Sequence, residues 1–106
     1  MTSAKGMYRM KIPRRLKIMA QTYSVEKLKL DDMISGAMGS CNSYDLEIRI
    51  MRGLSEPQEA DTFIHELLEA LKAELGLALP HRTIVALSAA LLQTIRENSL
   101  DFRKPK

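Results

Sequence analysis

The stretch GLSEPQEADTFIHELLEALKAELG, residues 53–76, marks the change from strands to helices in this 106-residue chain. Ser55 lies in the position of a helix N-cap, and Gln58, three residues later, completes a capping box. Pro57 falls in the first turn, where its missing N–H costs no hydrogen bond. Apolar residues then recur at helical spacing until Gly76, a typical residue just beyond a helix end. The predicted buried arc of this helix is Ala60, Phe63, Ile64, Leu67, Leu68, Leu71 and Leu75.

A second helix is predicted from about His81 to Glu97, ending near Asn98. Its back carries no charge, whereas a surface helix normally shows Lys and Glu there. We therefore expect cover from another element, an unknown protein partner or a second copy, bound through the uncharged face of residues 83–95. The arc expected to pack on the first helix is Ile84, Leu87, Leu91, Leu92 and Ile95, and the uncharged residues opposite it are Ala86, Ala89, Ala90 and Gln93.

Short strands are predicted before the helices, because apolar and polar residues alternate there. Residues 14–30 give two strands, and residues 34–44, rich in Gly and Ser, read as a loop leading into a short strand and turn. Residues 45–51, DLEIRIM, form the clearest strand. The predicted fold class is α+β, with a small, mainly antiparallel sheet followed by two packed helices. The residues expected on the inner faces of the strands are Leu16, Ile18, Tyr23, Val25, Leu28, Leu46, Ile48 and Ile50.

The length of the chain fits one domain, predicted here over residues 11–100, between a flexible basic segment (1–10) and a tail (101–106). A hydrophobic content of 45% argues for a folded globule. The single cysteine, Cys41, excludes an intrachain disulfide and fits a reducing compartment. No apolar segment follows the basic start, and the longest uncharged run, residues 83–95, is too short to span a bilayer. We therefore expect a cytoplasmic protein with no membrane span.

The first helix also carries a possible metal-binding motif. His65 and Glu69 are four residues apart, so both project from one face of the helix. Zinc peptidases carry H-E-x-x-H on such a helix, and this chain reads H-E-L-L-E, with Glu66 after the first histidine. The same letters also describe the solvated face of an acidic helix, so both interpretations are open at this point.

Taken in order along the chain, these features resemble a family of small phage- and prophage-encoded zincin-like proteins. The shared pattern is a basic lead-in with a proline, a K-I-x-x-x-x-Y-x-V strand, a turn begun by glycine, an I-x-I strand, a T-x-x-H-E helix and a last helix ending at Asn. The resemblance covers about residues 11–100. The matching residues are Pro13, Lys17, Ile18, Tyr23, Val25, Gly39, Ile48, Ile50, Thr62, His65, Glu66 and Asn98.

The resemblance implies a minimal zincin core and metal-dependent peptide hydrolysis, in the host-cell cytoplasm if the gene is of phage origin. It implies His65 as the first metal ligand and Glu66 as the catalytic base that activates water. Glu69 stands where the second histidine usually stands. A carboxylate can bind zinc, and its harder oxygen also suits manganese. Because two ligands seldom hold zinc, a third is needed, and His81 is a further candidate. The site is therefore either a variant metal site or a vestigial one.

Two other classes of function stay open. No acidic residue precedes Glu26, whereas six cations do, and four of these lie in the predicted domain: Lys11, Arg14, Arg15 and Lys17. They would give weak, salt-sensitive nucleic-acid binding by neutralising phosphates, unless they are only a solvated basic segment. The other class is a non-catalytic interaction protein that uses the scaffold to bind a host or phage protein.

Overall fold

The computed structural model describes residues 10–29, 32 and 37–100, and the predicted tail at 101–106 and most of the predicted segment 1–10 lie outside them. The predicted α+β class is confirmed, because four strands precede two helices. These elements are β1 (Arg15–Ile18), β2 (Gln21–Leu28), β3 (Gly39–Asn42), β4 (Glu47–Met51), α1 (Glu56–Leu75) and α2 (His81–Glu97).

The four strands form one sheet in the order β1-β2-β4-β3. The pairs β1–β2 and β3–β4 are antiparallel, while β2 and β4 run parallel. Two of the three pairings therefore match the predicted, mainly antiparallel sheet. The parallel pair arises because the connection from β2 to β4 passes through β3, which then lies at the far edge of the sheet. At this edge β3 contacts α1.

One face of the sheet packs against α1, as the alternation of the strands predicts. Residue pairs on this face join apolar side chains of neighbouring strands, such as Leu16 beside Tyr23 and Val25 beside Ile48. On the opposite face the strands carry polar and charged residues, among them Arg49, which forms an ion pair with Glu47 at 2.9 Å. The buried core of the sheet and helix is Ile18, Tyr23, Val25, Ile48, Ile50, Phe63, Ile64 and Ala70.

Helix α1 begins and ends where its sequence predicts. The Gln58 N–H donates to the Ser55 hydroxyl oxygen at 3.3 Å, and the Ser55 N–H donates to the Gln58 side-chain oxygen at 3.2 Å. At the other end Gly76 has a φ of 64°, a left-handed conformation that favours glycine. Leu75 is exposed, contrary to the predicted arc. It lies in the last turn, where a helix has neighbours on fewer sides.

Helix α2 packs on α1 along a different line from the predicted one. Ile84 and Ser88 are buried, but Leu87 and Leu91 are each 41% exposed, so placing them in the packed arc was wrong. The small Ser88 side chain donates to the Val85 carbonyl oxygen at 3.0 Å, which satisfies its hydroxyl within the helix. A single neighbouring helix covers only a narrow stripe, and that stripe runs through Ser88. The uncharged back of α2 is exposed within the described part of the chain: Ala86, Ala89, Ala90 and Gln93.

Charged contacts connect the start of α1 to its surroundings. The Arg96 guanidinium near the end of α2 binds the Glu56 carboxylate with both terminal nitrogens. The Met10 N–H donates to the same carboxylate at 3.1 Å. Lys27 of β2 pairs with the buried Glu59 at 2.9 Å. These contacts fix the first turn of α1 between the sheet and α2, and they leave the middle of α1 to form the candidate site.

Candidate metal centre

His65 and Glu69 face each other on α1, as their spacing of four residues predicts. The His65 Nε2 and the Glu69 Oε2 are 3.6 Å apart. Both side chains are partly covered, with 18% and 25% of their surfaces exposed. This distance is too long for a close hydrogen bond, so the two side chains do not occupy each other's facing atoms.

His81 joins this pair because the connection between the two helices is short. Gly76 turns the chain at the end of α1, and Pro80, with an extended backbone, precedes the first turn of α2. The helices therefore lie side by side, which puts the His81 Nδ1 at 3.8 Å from the Glu69 Oε2. The rings of His65 and His81 meet edge to face, with centroids 5.1 Å apart.

The three side chains offer a set of metal donors. Their ligand atoms lie within 4.8 Å of one another. In a tetrahedral zinc site, bonds of about 2.0–2.1 Å put neighbouring donor atoms about 3.4 Å apart. Small side-chain rotations would shorten the distances between the donor atoms to this value. His81 is free to rotate because its side chain is largely exposed. Two imidazoles and one carboxylate are also the donor set of one class of catalytic zinc site. The residues therefore fit a zinc or manganese ion.

Lys72 contacts the opposite oxygen of the same carboxylate. Its Nζ lies 3.8 Å from the Glu69 Oε1, one turn further along α1. The two carboxylate oxygens thus face different partners: Oε1 faces the lysine and Oε2 faces the histidines. This arrangement orients Oε2 towards the centre of the cluster, in the way that outer hydrogen-bonding partners orient metal ligands.

Glu66 is buried, although it lies outside the predicted buried arc of α1. Only 6% of the residue is exposed, because β3 passes directly over this side of α1. The close approach depends on Gly39: a Cβ built there would lie 3.0 Å from the Glu66 Oε2 and 2.5 Å from the Thr62 Cγ2. Burial, and secondarily the charge of Glu69, raise the pKa of Glu66 to about 7. A carboxyl group with that pKa can both accept and release a proton near neutral pH.

Two further groups beside the site were not predicted from the sequence. Cys41 of β3 lines a shallow pocket of about 150 Å³ together with Glu69 and Lys72. Tyr23 donates its hydroxyl hydrogen to Glu74 at 2.6 Å, and burial and this hydrogen bond raise the Tyr23 pKa. Both lie on the inner face of the sheet, where alternation predicts core side chains. No sequence signal points to the carboxylates they meet, since those lie on α1.

We expect Cys41 to react slowly with alkylating reagents. Burial, followed by the charges of Glu66, Glu69 and Glu74, raises the pKa of the Cys41 thiol to about 11, so very little thiolate forms at pH 8. Iodoacetamide labelling of the folded protein should therefore be at least about tenfold slower than labelling in denaturant, where the thiol has a pKa of about 8.5. Equal rates under the two conditions would contradict this placement of Cys41.

The four cations considered for nucleic-acid binding are all exposed: Lys11, Arg14, Arg15 and Lys17. Arg15 and Lys17 alternate with Leu16 and Ile18 on β1, so they lie on the face of the sheet away from α1. The structure does not join them to the histidine–carboxylate cluster. Weak, salt-sensitive binding of nucleic acid through these residues stays a prediction.

Neither helix in the described ranges has the combination of length and apolar content needed to cross a membrane. Comparisons with models of protein families, with curated proteins and with solved structures gave no match.

Proposed function

We propose that this chain binds one divalent transition-metal ion through His65, Glu69 and His81. The observation that carries the proposal is the convergence of both histidines of the chain on one carboxylate oxygen, from two different helices. Chance proximity on an acidic helix would explain why His65 lies beside Glu69. It does not explain why His81, from the other helix, lies beside the same carboxylate. Zinc and manganese are the expected ions, because imidazole suits zinc and the carboxylate also suits manganese.

We further propose that the chain is a zincin-like protein and that its reaction, if the site is active, is peptide hydrolysis. A metal ion held there would supply Lewis acidity and lower the pKa of a water molecule. Three protein ligands are the number that leaves a position open in catalytic zinc sites. Glu66 would take the proton from the attacking water and deliver it to the leaving amine, and its pKa of about 7 suits both steps.

The burial of Glu66 also favours a second candidate, a vestigial site that binds metal without catalysis. A base must reach the proton that it abstracts, and β3 covers this carboxyl group. Metal binding with no hydrolysis would then leave the scaffold as an interaction protein. Screening a peptide mixture with the metal-loaded protein separates the two candidates. The catalytic proposal expects cleavage that Glu66→Gln abolishes, and it fails if no peptide is cut.

Metal content, affinity and stoichiometry test the binding proposal directly. The purified wild-type protein should hold zinc or manganese, measured by mass spectrometry, or take up one ion per chain in a calorimetric titration. His65→Ala, Glu69→Ala and His81→Ala should each lower the affinity by more than the roughly 10–100-fold that loss of an outer partner costs. Glu97→Gln is the matched control, because it removes an exposed carboxylate from α2 outside the cluster. Equal affinity in all four variants would reject the site.

A further inference from the structure

Helix α2 is attached to the rest of the protein through few buried side chains. Two of its residues, Ile84 and Ser88, are buried, whereas α1 contributes seven buried residues. In the described part of the chain α2 packs mainly against α1, and the core shared by α1 and the sheet contains no residue of α2. A helix held by so few buried contacts is expected to open locally more often than the core does.

Polar contacts between the two helices lie near the ends of α2. In its last turn Arg96 binds Glu56 of α1, and water screens this pair because both side chains are partly exposed. At the first residue of α2, the His81 Nδ1 lies 3.8 Å from the Glu69 Oε2. This distance is too long for a hydrogen bond. Without an ion, the start of α2 is therefore weakly held at the candidate site.

The connection before α2 permits such an opening. Residues 76–80 join the two helices, and all of them except Leu79 are exposed. A change of backbone angles in this segment therefore disturbs no buried side chain of its own. Because His81 is the next residue, movement of α2 about this connection changes the position of His81 relative to His65 and Glu69.

We propose that a bound metal ion fixes α2 on α1, so that the docking of this helix depends on metal. The inference rests on the proposed site, in which His65 and Glu69 come from α1 and His81 comes from α2. When α2 opens, the site loses His81 and keeps two protein ligands, which hold zinc more weakly. An ion that binds the docked state more tightly shifts the equilibrium towards that state, up to the ratio of the two affinities. Metal availability then sets the fraction of chains in which α2 is docked.

Hydrogen–deuterium exchange of the full-length protein tests the proposal, measured at the amides of residues 85–97. In EDTA these amides should be less protected than those of β2 and β4 in the middle of the sheet. At saturating zinc they should exchange at least about tenfold more slowly, because loss of a ligand weakens metal affinity by more than loss of an outer partner does. His81→Ala removes the ligand that α2 supplies, so zinc should not slow the exchange of α2 in this variant.

Two glutamine substitutions test the docking of α2 itself. Ser88→Gln places a longer side chain at a buried position, about two turns beyond His81. Ala89→Gln is the matched control, because it places the same uncharged side chain at the next position, which is exposed. In EDTA the Ser88 variant should exchange its α2 amides several-fold faster than the wild type, and zinc should slow them again. The Ala89 variant should behave like the wild type.

A calorimetric zinc titration beside the exchange experiment separates this inference from the metal site itself. Binding of one zinc ion per chain with unchanged exchange of the α2 amides would overturn the inference and leave the site intact. Absence of zinc binding would overturn both. If zinc slows α2 exchange equally in His81→Ala and in the wild type, the ion does not act by holding α2, and the inference fails.

Discussion

Replacing Gly39 with alanine should destabilise the protein by about 2 kcal/mol, within the range that overpacking of a filled core costs. The added Cβ would lie 2.5 Å from the Thr62 Cγ2, far inside normal contact, and 3.0 Å from the Glu66 Oε2. Thr62 is a buried, β-branched residue in the middle of α1, so its methyl group has little freedom to move away. Either β3 or α1 must shift. Urea denaturation followed by circular dichroism measures the loss.

A second substitution identifies the cause. Thr62→Ser removes the Cγ2 methyl group that the new Cβ would meet. The double variant Gly39→Ala with Thr62→Ser should therefore recover about half or more of the lost stability, whereas Thr62→Ser alone should be mildly destabilising. If Gly39→Ala is as stable as the wild type, or if the double variant is the sum of the two single losses, β3 does not lie against α1 as described.

Glu66→Gln should stabilise the metal-free protein by about 3 kcal/mol at pH 8 and have little effect at pH 4. Burial raises the pKa of Glu66 from an ordinary value of 4.5 to about 7. Between these two values the folded state binds more protons than the unfolded state, so stability falls as pH rises. Above pH 7 the folded protein carries the full cost of a buried carboxylate, and glutamine removes that cost.

The pH dependence itself provides the control. Chemical denaturation of the wild type and of Glu66→Gln in EDTA, from pH 4 to pH 8, should give two curves that coincide at low pH and diverge between about pH 4.5 and pH 7. A constant difference across this range would mean that the substitution acts through packing. No difference at pH 8 would mean that Glu66 is hydrated and that β3 does not cover it.

The features that depend on local sequence were predictable. Both helices begin and end at the expected residues. For α1 the cause is local, because the capping residues Ser55 and Gly76 act within a few positions of the helix ends. The inner strand residues, among them Ile48 and Ile50, follow from alternation alone. The α+β class then follows from strands coming before helices.

Features that depend on which elements meet were not predictable in the same way. Glu66 lies on the polar side of α1, and its burial depends on an edge strand that approaches only because residue 39 is glycine. The parallel pairing of β2 with β4, which sets that edge, has no local signal. Likewise, the narrow contact between two helices leaves Leu87 and Leu91 exposed, although both lie on a reasonable apolar arc.

The candidate site is an intermediate case. Helical spacing alone places His65 beside Glu69. The position of His81 depends on the path of the connection at residues 76–80. Gly76 and Pro80 indicate a turn there, but they do not determine its path. The structure brings the three residues together.

The most direct measurement is a zinc titration of ¹⁵N-labelled protein, followed through the imidazole nitrogen signals. The chain contains only two histidines, His65 and His81, so every imidazole signal belongs to the candidate site. If the three residues bind zinc as proposed, both rings respond together and the changes are complete at one zinc ion per chain. In Glu69→Ala this joint response should be lost. Signals that stay unchanged at excess zinc would contradict the proposed site. So would signals of His65 and His81 that change at different zinc concentrations.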